Sequence, residues 1–394
     1  MKMTHPLLLI CVAVLLAALA YVGFGYAWPK MTLFHPEHRV VRFRNFADAF
    51  PTAPIDRAAV PVPYDIAPRQ IAESYLFVGQ ERAVSEFLTR SQTTAFVVVH
   101  KGALVHEAYF QGNAASDLVT SFSVAKSFVS TLVGIAVAEG LIESVDDPIT
   151  TYVPALAKTG FDGVAIADVL TMSSAIAFSE AYDDKSTDAF KIYDELFLKF
   201  RRVDRVIGDY GSDGEAGQAF HYASLNTQAL GLLLQSVTGM SVASYMQQKL
   251  WEPLGAESEA KWSTDLYGTV MAFWGLNATA RDFARLGITY AQGGRYRGQQ
   301  IVPAEWVAQA TSVSAPRLER GSVDSHWGYG YQWWLPDGQR GDFSAIGIWG
   351  QFIYVDPSSE TVIVKMSADP EFKPHEVEAM AVFRAIADGL SAAP

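Results

Sequence analysis

The chain has 394 residues, 50% hydrophobic and 18% charged, enough apolar material to bury a large core in one or two domains and too much for a disordered polypeptide. Its formal charge of -12 excludes a general nucleic-acid binder, because phosphate binding needs a basic face and no lysine and arginine cluster supplies one.

At the amino terminus, Pro6 to Ala27 holds no charge over 22 residues, long enough as a helix to cross a hydrocarbon layer of roughly 30 Å. Lys2 precedes it, so residues 1–28 read as an N-in, C-out membrane anchor or signal segment that exports the rest of the chain. Ala18-Leu19-Ala20 fits a signal-peptidase site, and secretion after cleavage is the alternative. The apolar run continues to Trp28 through Tyr21, Val22, Phe24 and Tyr26, an aromatic end suited to the interface. That favours an uncleaved inner-membrane anchor facing the periplasm or another extracytoplasmic side. The only cysteine, Cys11, lies inside this segment, so the exported part has neither a disulfide nor a cysteine nucleophile. Residues 29–70, with Pro51, Pro54, Pro61, Pro63 and Pro68, read as an extended connector.

An amphipathic helix near residues 80–90 precedes two strand-like runs, Thr94–His100 and Ala103–Phe110, joined as a hairpin by Lys101-Gly102. Helical patterns come next at 123–139, 166–172, 189–200, 227–237, 242–250 and 280–292. Aromatic and β-branched strands return at 328–335, 343–355 and 361–367, before a final helix at 374–390. Strands at both ends around a helical middle predict an α+β fold, an antiparallel sheet flanked by helices with an inserted, mainly helical domain. The domain spans 71–392, its α/β part 71–122 and 293–392 and its helical part 123–292.

Ser123 and Lys126 open the long apolar helix at 123–139 as a Ser-x-x-Lys step. On one helical face, a lysine can serve as base to the serine hydroxyl. The pattern recurs at Ser258-Glu-Ala-Lys261, but that copy comes after a Pro-Leu-Gly breaker in a polar stretch and reads as a solvated loop. Behind Ser123 come Val124, Phe128, Val129, Leu132, Val133, Ile135 and Ala136, with Gly140 to end the helix. A helix apolar on most faces buries the lysine of its first turn, which costs several kcal/mol unless the ammonium is paired or loses its proton. The local segment leaves open a snorkelling surface lysine beside an N-capping serine.

The order of these segments, together with Ser121-Phe-Ser-Val-Ala-Lys-Ser127, Leu170–Ser174, Phe220–Gln228, Gly275–Asp282 and Gly328–Trp334, resembles the serine β-lactamase and penicillin-binding-protein superfamily. It is most similar to the class C-like branch of esterases and amide hydrolases that includes the 6-aminohexanoate-dimer hydrolases. The resemblance implies a β-lactamase-like fold and an acyl-enzyme on Ser123, with Lys126 as base, cleaving a small-molecule amide or ester. It places the family's second motif at Tyr222 as proton relay, with Ser224 where asparagine is usual and Asn226 two residues beyond. The third motif falls on Ala345-Ile346-Gly347, without its cation. There Gly347 implies close backbone approach, and the Ile348 N–H would join that of Ser123 in an oxyanion hole. Losing the cation that helps hold a substrate carboxylate weakens the alternative of a penicillin-recognising D,D-peptidase or β-lactamase. A non-catalytic anchored binding protein of the same fold is the other. The resemblance also implies Tyr182, Asn277, Trp349 and Gln351 as substrate contacts.

No cofactor is called for. No Gly-x-Ser-x-Gly elbow occurs, and none of the eight histidines forms a His-x-x-x-His site, so no metal is expected. Asp183, Asp184 and Asp188 read as a solvated acidic loop.

Overall fold

Ladder pairing and burial on both faces shape the main sheet. Its strands are β1 (Thr93–His100), β2 (Ala103–Tyr109), β3 (Gly328–Tyr329), β4 (Trp334–Leu335), β5 (Phe343–Gly347), β6 (Gln351–Asp356) and β7 (Thr361–Ser367). The computed structural model describes residues 5–182, 184, 186–336 and 340–392; Asp183 lies outside the described residues. The sheet order is β3-β4-β5-β6-β7-β1-β2, with every neighbouring pair antiparallel. Strands from the two ends of the chain thus meet at β7 and β1, where Val362 faces Val99 and Val364 faces Val97.

The principal helices are α1 (His5–Ala20), α2 (Ala125–Ala138), α3 (Asp188–Phe197), α4 (Ser224–Thr238), α5 (Ala280–Ala291) and α6 (Phe372–Ala392). All residues of β1 are buried because the sheet is covered on both sides. Phe96, Val98, Phe352 and Ile363 pack with Phe383 and Ile386 of α6, while Val97, Val99, Val362 and Ile353 share a core with Phe283 and Leu286 of α5. At the α5 contact a Cβ on Gly287 would come within 2.5 Å of Val362, so only glycine permits that separation. This is the expected β-lactamase-like architecture.

Several elements differ from the sequence reading. Residues 328–335 do not form one strand: Gln332, at φ +63°, reverses the chain between β3 and β4. The stretch 29–70 is not extended throughout. Residues Trp28–Met31, Arg39–Arg44 and Phe46–Ala49 are helical because Leu33, Phe43 and Phe46 bury themselves in the main core, the two phenylalanines against Phe122, rather than staying in solvent. Thr52–Ile55 adds a strand to a second sheet with Ala260–Ser263, Leu276–Ala278 and Val119–Thr120. Lys261 is therefore a strand residue, not a loop one.

At the amino terminus α1 is followed by a π-helical segment, Tyr21–Ala27, and the short helix Trp28–Met31. Among the described residues no single helix is long and apolar enough to cross a membrane. Leu9, Ile10 and Leu16 on α1 are each at least 60% exposed.

Candidate active site

Ser123 sits in a single 3-10 turn, Phe122–Val124, that feeds directly into α2. The turn is strained. Phe122 holds φ at +43°, which a bulky residue rarely adopts, and it is fixed there by burial against Phe43 and Phe46. Ser121 anchors the other side by donating its backbone N–H to Leu276 O at 2.8 Å.

Three residues on, Lys126 brings Nζ to 2.8 Å from Ser123 Oγ, and it donates to Phe273 O at 3.0 Å. The lysine is 2% exposed, and burial pushes it down to about 8, opposed by the negative charge of Glu180. The snorkelling alternative is thereby excluded: this is an enclosed amine beside a hydroxyl.

Tyr222 precedes α4 and packs its ring on Trp334, centroids 5.5 Å apart. Burial, then Glu180, pushes its phenol well above the ordinary value, while a hydrogen bond with Ser123 acts the other way. Its ring lies 5.1 Å from Lys126 Nζ. Tyr182 behaves alike: burial and Glu180 raise its phenol, and Ser123 opposes the shift by hydrogen bonding. The structure therefore gathers Ser123, Lys126, Tyr222 and Tyr182 into one constellation.

The departure in the second motif is settled by position. Ser224, on the first turn of α4, donates its hydroxyl to Glu180 Oε1 at 2.6 Å and its backbone N–H to Glu180 Oε2 at 2.8 Å. Asn226 points away, with Nδ2 near Met172 Sδ at 3.4 Å. Glu180, which also accepts from the Tyr182 hydroxyl, was missed in the sequence. Nothing in Phe178-Ser-Glu180 marks that carboxylate, since Ser224, its partner in α4, lies 44 positions away.

At the edge of the site β5 ends at Gly347, where a Cβ would lie 2.6 Å from Ser121 O and 3.1 Å from Ser123 N. That backbone proximity is what a glycine there allows. Ile348 comes next and borders the cavity at Ser123. Trp349, at φ +65°, stacks on Phe34 with centroids 5.7 Å apart and borders a second cavity at the same serine.

Two expected substrate contacts are corrected. Gln351 is buried and spends its amide on the backbone: Nε2 donates to Ile348 O, Trp349 O and Ser367 O at 3.2, 3.1 and 2.8 Å, and Oε1 accepts from Ser367 N at 3.0 Å. It braces the Ile348–Trp349 turn rather than touching substrate. Asn277 is a fully buried strand residue, with Nδ2 donating to Lys261 O at 3.0 Å and Gly275 O at 2.7 Å. The following helix, α5, is capped by Thr279, whose side chain accepts from Asp282 N–H.

The third motif's missing cation is not restored by Lys365. That lysine is enclosed behind the same turn, 2.5 Å from Ser367 Oγ, and burial pushes it down to about 7. Lys373 and Glu376, near the start of α6, do reach the cavity. A separate grouping absent from the sequence reading is His35, Glu37 and His38, whose ligand atoms lie within 4.8 Å of one another on the segment before the Arg39–Arg44 helix.

The family is evident from both fold and sequence. A beta-lactamase family model matches residues 81–387, and the chain belongs to that family of serine hydrolases. The "6-aminohexanoate-dimer hydrolase" of Paenarthrobacter ureafaciens is 31% identical over 347 residues, covering 85% of this chain and 86% of that one. A solved structure from Bacillus anthracis, named as a candidate 6-aminohexanoate-dimer hydrolase, has 25% identity and a TM-score of 0.83, covering 92% of this chain and 97% of that one. A class C beta-lactamase shares the fold at 17% identity and a TM-score of 0.57, over 79% of this chain and 95% of its own.

Proposed function

We propose that the protein hydrolyses a small-molecule amide or ester through an acyl-enzyme on Ser123. The carrying observation is the enclosed Lys126 amine 2.8 Å from Ser123 Oγ, its pKa lowered to about 8 by burial. A lysine that sheds its proton so near neutrality takes the serine proton as the oxygen attacks the carbonyl. The developing oxyanion is met by the backbone N–H groups of Ser123 and Ile348, each worth about 3 kcal/mol at a preorganised site. Tyr222, held protonated by burial, passes a proton to the leaving group and is resupplied by Lys126. Water then releases the acyl group. Tyr182 and Trp349 border the bound substrate. The kinship with an amide hydrolase and the absent cation at Ala345-Ile346-Gly347 favour linear amides or esters over penicillins.

The N-terminal helical run is proposed as a membrane anchor that places the domain outside the cytoplasm. The support is its composition and the exposure of Leu9, Ile10 and Leu16, apolar surface that a bilayer would cover at a gain of about 25 cal/mol per Å².

Mass spectrometry of the protein after a fluorophosphonate probe tests the mechanism. The adduct is expected on Ser123, and Ser123→Ala should lose both label and turnover while keeping the wild-type circular dichroism. Wild-type turnover in that variant would sink the assignment.

A further inference from the structure

Two cavities meet at Ser123, and they differ in chemistry. The first, about 630 Å³, is bordered by Tyr222, Trp334, Lys373 and Glu376. The second, about 780 Å³, runs among Phe178, Phe190, Ile192, Leu196, Phe273 and Trp274, with Lys30, His35 and Asp194 also on its lining, and is the more apolar of the two. Ser123, Glu180, Tyr182 and Ile348 border both.

The proton donor decides which half of the substrate goes where. Tyr222 borders the first cavity and not the second. A leaving group that takes its proton from Tyr222 must therefore depart through the first cavity, among Lys373 and Glu376. The acyl half is left with the apolar cavity. Its rim includes Lys30 and the 79% exposed Met31, the last turn of the N-terminal helical run. With that run in a bilayer, the rim of the acyl cavity lies next to the interface, where amphiphiles reside.

From this we infer that the substrate is a medium- to long-chain fatty acyl ester or amide with a small polar leaving group, its hydrocarbon tail seated in the cavity between Phe178 and Trp274. This rests on the serine acyl-transfer reading above and adds the substrate class to it. The chemistry balances without a further reagent. The bond from Ser123 Oγ to the acyl carbon forms as the bond from that carbon to the leaving oxygen or nitrogen breaks. The serine proton goes to Lys126, the leaving group takes one from Tyr222, and Lys126 returns its proton to Tyr222. Water then cleaves the acyl-serine, giving a free fatty acid and restoring Ser123.

The test is a series of p-nitrophenyl esters from acetate to decanoate, each below its micellar concentration, with the full-length protein. Burying each added methylene is worth up to about fourfold in kcat/KM. The expected result is a rise of at least about tenfold from acetate to decanoate, abolished throughout by Ser123→Ala. Ala189→Trp, which sends a large ring into the cavity from a half-buried position at the start of α3, should cut the decanoate-to-acetate ratio about tenfold. A flat or falling series, with acetate turnover still dependent on Ser123, overturns the fatty acyl assignment and leaves the hydrolase reading intact. An unchanged ratio in Ala189→Trp also overturns it. Absence of any Ser123-dependent turnover across the series overturns the hydrolase reading and this inference with it. The wild-type and Ser123→Ala series together decide the assignment even if Ala189→Trp fails to fold.

Discussion

Glu180 accepts both the backbone N–H and the hydroxyl of Ser224, at 2.8 and 2.6 Å, so one carboxylate ties the loop bearing Tyr182 to the helix just after Tyr222. Its negative charge also opposes the burial that lowers Lys126, and adds to the burial that raises Tyr182 and Tyr222. Glu180→Gln removes that charge and keeps most of the shape. Turnover should fall roughly tenfold as the tie loosens. The acid limb of the rate profile should move to lower pH, because Lys126 loses the charge that favours its protonated form. A pH–rate profile of the variant checks both, and a limb displaced to higher pH would contradict the assignment.

The lysine itself sets the wild-type profile. Burial lowers Lys126 to about 8, and only its neutral form accepts the serine proton, so kcat/KM should rise with pH through about 8 and fall on acidification as the amine is protonated. Lys126→Arg keeps a positive charge at every working pH and should lose about 10³-fold. A rate independent of pH between 6 and 9 (about three units around that pKa) would exclude a lysine base.

Gly347 is held against the nucleophile turn. Gly347→Ala would push a methyl to within 2.6 Å of Ser121 O, and backbone on both sides leaves no flexible atom to yield. The edge of β5 must retreat and carry Ile348 N–H with it. The expected loss in kcat is about 100-fold, with about 1–3 kcal/mol of stability, read by steady-state kinetics and thermal melting.

Gln351 offers a different signature. Gln351→Leu removes the donor to the carbonyls of Ile348, Trp349 and Ser367, of which that to Ser367 is buried. We expect about 2 kcal/mol or more of destabilisation and roughly a tenfold fall in kcat, while KM stays within about twofold because the side chain borders no substrate. A large rise in KM with kcat intact would restore it to the substrate contacts.

How much of the site is legible in the sequence varies by residue. Ser123 and Lys126 are readable because the helix spacing that joins them is local, three residues, and the apolar run behind them announces burial. Tyr222 and Gly347 are readable through resemblance to a family, since each lies in a short motif. Glu180 is not: its partner Ser224 is 44 residues away, and no periodicity connects a loop carboxylate to a helix start. Gln351 and Asn277 are misplaced for a related reason. A polar residue beside a motif looks the same in sequence whether its amide meets substrate or a neighbouring carbonyl.

The sequence by itself determined the alternation of strands and helices, the pairing of Ser123 with Lys126, and the family, because each rests on short-range pattern. The tertiary structure alone decided what surrounds that pair. Desolvation of Lys126 and of Tyr222 depends on which distant segments close over them. The cavity between Phe178 and Trp274 is walled on one side by residues 30–36, which return to pack Phe34 beside Phe122 and Trp349, a contact whose free energy comes from buried area rather than from any local preference of the chain.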